Sequence, residues 1–197
     1  MKNMENGYIC YIGRPSYQKN SFFFVDVIKG VHEKYPKIQF KLLGVGYYSP
    51  DLEQMKEMIN QYGLNDVIEL LPWLSHDETL KYVKESLFYL TVSRYEGLPL
   101  SVIEAMSLGK AIIASDVVGN VDCVVNGYNG FLVPLIKDAF VDAVCRMIEN
   151  DSERIKFEIN SRKLFEERFL ITNRIKDLEK IYISSIKPVG GINLVRT

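Results

Sequence analysis

The sequence is poor in cysteine, histidine and tryptophan, has no excess charge of either sign, and contains no long apolar run. Its 197 residues include three cysteines, Cys10, Cys123 and Cys145, widely spaced in apolar surroundings and without the CxxC pairs of a zinc or redox site. They read as reduced core residues of a cytoplasmic protein. The two histidines, His32 and His76, fall in helical patterns far from the loops singled out below, and no Asp-x-Asp pair occurs, so no metal site is expected. The longest run of hydrophobic residues is five, Tyr8–Ile12, against the roughly 18 that a membrane span needs. Lys plus Arg number 24 against 25 Asp plus Glu, a net charge of −1 that gives no general attraction to nucleic acid or acidic lipid. Any anion site has to be local. The opening MKNMENG is polar and leads into too short an apolar stretch for a signal peptide, so secretion is not expected.

What is present is the mix of a globular α/β protein, 47% hydrophobic and 25% charged. Short β-rich runs at residues 8–12, 38–43, 67–71, 87–92, 111–115 and 130–133 alternate with stretches of helical period. This pattern predicts repeated βαβ units and a six-stranded sheet. Leu52, Met55, Ile59 and Tyr62 share one helical face between Pro50 and Gly63. Ser75 and Glu78 have capping-box spacing before another helix, and Asn20 precedes a helix through Phe22, Val25, Ile28 and Val31. From residue 137 to 186 the pattern is wholly helical, with breaks expected at 150–151 and 170–172. No linker or repeat divides the chain, so residues 1–187 are expected to form one domain and 188–197 a loose tail. The expected fold is a Rossmann-like three-layer sandwich, a mostly parallel sheet followed by a helical carboxyl-terminal segment.

In doubly wound sheets ligands sit beyond the carboxyl ends of the strands. Four loops there are distinctive. GRPSYQKN, residues 13–20, couples the turn-forming Gly13 to two cations, Arg14 and Lys19, beside a helix start, in outline a phosphate site. LLGVGYYSP carries Gly44 and Gly46 in a pattern that also suits an ordinary turn. SRYEGLPLSVIEAMSLGK, residues 93–110, places Glu96 in the loop and Glu104 about a turn into the next helix, whose positive end faces the crevice. Glu104 suits either a ribose diol or, with Ser101, a capping box. SDVVGNVDCVVNGYNG reads as two turns around a short helix.

Together these pieces resemble the carboxyl-terminal, donor-binding domain of the large retaining GT-B glycosyltransferase family that makes bacterial polysaccharides. YIGRPSYQKN, LLGVGY, YEGLPLSVIEAMSLGKAIIAS and NGYNGFLV follow the family order, and the resemblance covers about residues 8–182. It implies transfer of a sugar, with retention, from a nucleoside-diphosphate sugar to a hydroxyl acceptor, in capsule, O-antigen or other polysaccharide synthesis. Arg14 and Lys19 would hold the diphosphate, Glu96 the donor sugar and Glu104 the ribose, with Lys19, Arg14 and Glu96 closest to the chemistry. Gly13 and the Gly97, Leu98, Leu100 and Ser101 backbone would face the donor, and neither metal nor cofactor is required. Pro99 replaces a glycine common in the family and removes one amide donor. Asp122 stands where a longer Glu is usual, which leaves its role open. Trp73, in the loop after the third strand, suits either stacking on the base or filling the core.

The chain starts where the family's acceptor-binding first domain would end, so that half is expected from elsewhere, in cis or in trans. A non-catalytic nucleotide-sugar-binding module is the alternative, since it would keep the same residues. A GT-B sugar-nucleotide epimerase fits less well with the spacing of Glu96 and Glu104. Leu164, Phe165, Phe169 and Leu170 are expected to be partly orphaned and to favour self-association. Peripheral membrane contact through residues 154–180 is opposed by the acidic residues among the basic ones. The expected location is the cytoplasm, with the inner face of the membrane as the place where such a contact would hold the protein.

Overall fold

A computed structural model describes residues 7–46 and 48–186. Six strands, β1 (Tyr8–Ile12), β2 (Gln39–Val45), β3 (Ile68–Pro72), β4 (Tyr89–Thr91), β5 (Ile112–Ser115) and β6 (Gly130–Val133), form one sheet in the order β3-β2-β1-β4-β5-β6. Every pairing is parallel. Among the described residues, eight helices accompany the sheet: α1 (Ser21–Lys34), α2 (Leu52–Gln61), α3 (His76–Glu85), α4 (Leu100–Ser107), α5 (Asn120–Cys123), α6 (Lys137–Glu149), α7 (Asp151–Arg168) and α8 (Ile171–Ser185). α1 packs against α2 and α6, while α4 packs against α3, α5 and α7. The two groups cover opposite faces of the sheet, which explains why β4 and β5 are buried at every position without alternation.

The direction of winding changes once. From β1 the chain steps outward through β2 to the edge strand β3, then α3 carries it back across to β4 on the far side of β1. The loops after β1 and β4 are therefore neighbours, and a crevice opens between them at the switch point.

Local chemistry sets most element ends. Ser75 and Glu78 form a reciprocal capping box at the start of α3. Gly63, just past α2, has a φ of +68°, a conformation glycine adopts without strain. β4 is shorter than the β-rich run 87–92, and at the end of β1 the Ile12 amide donates to the Tyr89 hydroxyl (3.2 Å). Asn20 takes a left-handed conformation, φ 56°, and does not cap α1 with its side chain. Its carbonyl accepts from the Phe24 amide at 3.0 Å.

The expected orphaned residues are a correction. Leu164 is fully buried, whereas Phe165, Phe169 and Leu170 are half-buried, with the two phenylalanines packed against the core. The unpartnered stripe lies one helix later, because α8 buries none of its residues and exposes Ile171, Ile175, Leu178 and Tyr182 at helical spacing. The loose tail expected at 188–197 lies outside the described residues. None of the described helices is long and apolar enough to cross a membrane.

Candidate functional site

The floor of the crevice is built from the loop after β1. The Gly13 amide donates to the Leu43 carbonyl at 2.9 Å and keeps this loop against the end of β2. A side chain at Gly13 would stand 3.2 Å from the Lys19 methylenes, so its absence makes room for the lysine to fold over the strand end. The buried Tyr11 hydroxyl donates to the Lys19 carbonyl at 2.8 Å. Burial raises the Tyr11 pKa, so the phenol stays protonated and the anchor persists.

Lys19 turns toward the loop after β4. Its Nζ lies 2.6 Å from Glu96 Oε1, with the two side chains 20% and 8% exposed. Gln18 Nε2 donates to the other Glu96 oxygen at 3.4 Å and to the Tyr95 carbonyl at 3.3 Å. The Arg94 amide donates to the Gln18 carbonyl at 2.8 Å. The two loops are thus stitched together by backbone, amide and ion pair, and a cation and a carboxylate are held side by side at the switch point.

The loop after β5 supports this arrangement from beneath. The Glu96 amide donates to the Val118 carbonyl at 3.1 Å. Gly119, at φ +87°, lies so close below that a Cβ there would fall 2.6 Å from the Glu96 carbonyl oxygen and 2.7 Å from that of Gly97. Its place in a Gly/Asn-rich turn was legible, but its contact with Glu96 was not. Gly97 itself faces open space. Asp122 is exposed within this loop's short helix.

α4 begins at Leu100, with Pro99 at its N-cap position, so the proposed Ser101–Glu104 capping box does not form. Ser101 already lies inside the helix. Burial raises the Tyr89 pKa well above its ordinary value, and the Ser101 hydroxyl hydrogen-bonded to it acts in the opposite direction. As the first two residues of α4, Leu100 and Ser101 have amides with no intrahelical carbonyl to meet. The Leu98 and Leu100 side chains are exposed. Glu104 projects from α4 toward α3, where its Oε1 lies 3.0 Å from His76 Nε2. His76 is therefore beside the site, a correction to its expected distance from these loops. α3 brings it there on its return across the sheet, a juxtaposition that no local spacing encodes.

Arg14 is exposed on the other side of Gly13. It borders two cavities, one of about 480 Å³ with Ser16, Tyr48, Ser49 and Pro50, and one of about 400 Å³ with Gly13, Gly44, Trp73 and His76. Trp73 is 71% exposed, which removes the core-filling alternative. The second glycine of the Gly-x-Gly pair explains its position, since a Cβ at Gly46 would overlap the Trp73 indole. Gly44, at φ +91°, marks the register shift in β2 and brings that strand's end near Gly13.

A further cation, Arg94, has its guanidinium 4.5 Å from the Tyr17 ring centre at the crevice rim. Among the described residues, no group of three or more His, Cys, Asp or Glu side chains is placed to hold a metal ion. The thiols play no part in the site: all three are buried, and burial pushes those of Cys10 and Cys123 up to about 12. The assembled groups offer cations and open helix amides for an anion, and two separated carboxylates for hydroxyl groups.

Comparison with known proteins bears on the family and the fold. A family model described as glycosyl transferases group 1 matches residues 1–164. An uncharacterized glycosyltransferase of Methanocaldococcus jannaschii is 31% identical over 183 residues, covering 88% of this chain and 44% of the relative. The Escherichia coli UDP-Gal:alpha-D-GlcNAc-diphosphoundecaprenol alpha-1,3-galactosyltransferase is 29% identical, covering 89% of this chain and 45% of the relative. The chain spans less than half the length of these two relatives. Among solved structures, Anabaena HepE in complex with UDP and glucose superposes with a TM-score of 0.81 at 18% identity, over 93% of this chain and 50% of that one.

Proposed function

The chain belongs to the glycosyl transferases group 1 family, and on that premise we propose that it binds the donor nucleotide-sugar of a retaining sugar transferase. The observation that carries this is the Lys19–Glu96 pair, held at the switch point between the loops after β1 and β4. A diphosphate needs a cation and open amides, and a sugar needs a hydroxyl acceptor within a few ångströms of that cation. Lys19 and Glu96 meet both needs in adjacent positions.

The roles follow from position. Lys19 and Arg14 take the diphosphate and neutralise charge on the departing group, aided by the amides at the start of α4. Glu96 accepts from donor-sugar hydroxyls near the reacting carbon, and Glu104 accepts from the ribose. The exposed Trp73 and the adjoining 400 Å³ cavity leave room for a base beside Arg14. The cations do the neutralising, so donor binding proceeds without a metal or cofactor. The acceptor is held by a second domain, and the reaction serves polysaccharide synthesis in the cytoplasm. The name of a Staphylococcus aureus capsular polysaccharide biosynthesis glycosyltransferase, 28% identical over 187 residues, supports the polysaccharide role.

The deciding experiment is a calorimetric binding screen of the purified chain against UDP, GDP and ADP and their common sugar conjugates. Saturable binding of one base series, tighter with a sugar attached, is the expected result. Failure of all three series to bind would refute the donor-site assignment.

A further inference from the structure

Glu104 is the one acidic group of the site whose carboxylate would otherwise be loosely held. Its side chain is 34% exposed, it stands just past the first turn of α4, and it forms no capping box there. A long side chain in that setting samples several rotamers, and ordering it during ligand binding costs free energy. His76 removes much of that freedom. Its Nε2 reaches Glu104 Oε1 at 3.0 Å, leaving Oε2 open to a ligand.

The imidazole is itself well anchored at its base. His76 is the first residue of α3, and the Ser75–Glu78 capping box fixes that turn, with the Ser75 amide 3.0 Å from Glu78 Oε2 and the Glu78 amide 3.3 Å from Ser75 Oγ. The same side chain lines the 400 Å³ cavity with Trp73, Gly13 and Arg14. It therefore lies between the carboxylate and the space next to it. Both the imidazolium and the neutral form with its proton on Nε2 can donate to a carboxylate.

We propose that His76 is a positioning residue for Glu104, holding one carboxylate oxygen so that the other is presented to the ribose diol of a bound nucleotide. This rests on Glu104 being the ribose ligand, as set out above, and the two ideas fail differently. His76 acts on the ribose only through Glu104, so its loss should distinguish ribose from dideoxy ligands, whereas a contact with a base in the cavity it lines would be lost equally by both.

The test compares His76→Ala, His76→Gln and Glu104→Gln, each titrated with UDP, GDP and ADP and with the 2′,3′-dideoxy form of whichever binds. His76→Ala should weaken the ribose form by about five-fold, the scale of one hydrogen bond, and leave the dideoxy form unchanged. His76→Gln, which restores an N–H donor on a side chain of similar reach, should recover most of the loss. Combined with Glu104→Gln, His76→Ala should add no further loss. If Glu104→Gln weakens the ribose form more than the dideoxy form but His76→Ala does not, positioning by His76 is refuted and the ribose role of Glu104 stands. Equal loss of both ligand forms with His76→Ala would place His76 on the base or phosphates and would likewise overturn the proposal. If Glu104→Gln weakens the ribose and dideoxy forms by the same factor relative to the parent, or no nucleoside diphosphate binds, the underlying site assignment fails and this proposal fails with it.

Discussion

Glu96→Gln should separate the two halves of the donor site. In the free protein the Lys19 ammonium and the Glu96 carboxylate are 2.6 Å apart and mostly shielded from water. Two unit charges 4 Å apart attract by about 4 kcal/mol at the effective dielectric of a protein surface. Desolvation opposes that attraction, so the net loss on removing one partner is smaller, roughly 1.5–3 kcal/mol for a hydrogen bond between charged groups. Glutamine keeps the shape and its one amide oxygen can still accept from Lys19, but its NH2 group then faces the Gln18 amide that donated to the second carboxylate oxygen, so the expected fall in folding stability stays within that range.

The effect on ligands runs the other way. An ionised Glu96 competes with phosphate for Lys19 and repels the phosphate charge, so Glu96→Gln should bind the plain nucleoside diphosphate as well as the parent or up to about ten-fold more tightly, ten-fold being about 1.4 kcal/mol. Its preference for the sugar conjugate over the plain diphosphate should disappear, because the group that accepts from the sugar has lost its charge. Lys19→Ala should weaken both ligands by roughly 1.5–3 kcal/mol. Calorimetric titration of both ligands into the parent, the two variants and the double variant, with thermal unfolding alongside, gives all the quantities required. If Glu96→Gln weakened the plain diphosphate as much as Lys19→Ala does, the carboxylate would be organising the phosphate site and the division of roles would be refuted.

Arg14→Ala should weaken nucleoside diphosphates by roughly 1.5–3 kcal/mol with little change in unfolding temperature, since the side chain is exposed; parent-like affinity would remove Arg14 from the site. Glu104→Gln should weaken nucleosides as well as their diphosphates, and unchanged nucleoside affinity would exclude a ribose contact. Donor binding should survive saturating chelator, and restoration of binding only by added magnesium or manganese would contradict neutralisation by Arg14 and Lys19. Assayed alone with a bound donor, the 197-residue chain should release sugar to water slowly and transfer almost none to an acceptor, because on the proposed reading it supplies one wall of a two-domain cleft and cannot by itself orient the acceptor; full-rate transfer would show that these residues also build the acceptor site.

What could be read from the sequence depended on how local its cause was. β1 and β6 carry their expected bounds because each is a short apolar run closed by turn residues, and α2 stops before Gly63 for a reason contained in that glycine. The two Ser-x-x-Glu segments show where locality ends. Ser75 caps α3, whereas Ser101 lies inside α4, because α4 starts beyond Pro99 and the Ser101 hydroxyl meets Tyr89. The spacing is the same, and packing against the buried strand decides between the outcomes.

The site shows the same division in a more consequential form. Arg14, Lys19, Glu96 and Glu104 could be chosen because they follow strands whose carboxyl ends meet at a switch point, and topology alone brings the loops after β1 and β4 together. Which of them touch could not be chosen that way. Lys19 and Glu96, each assigned to a different part of the ligand, neutralise one another in the free protein, and Glu104 is engaged by His76 across two helices. Gly119 sets the height of the Glu96 turn from a third loop. A donor entering this crevice must therefore exchange contacts with groups that are already paired. The free energy of binding is consequently the difference between two sets of hydrogen bonds, so single substitutions at Lys19 and Glu96 need not change affinity in the same direction.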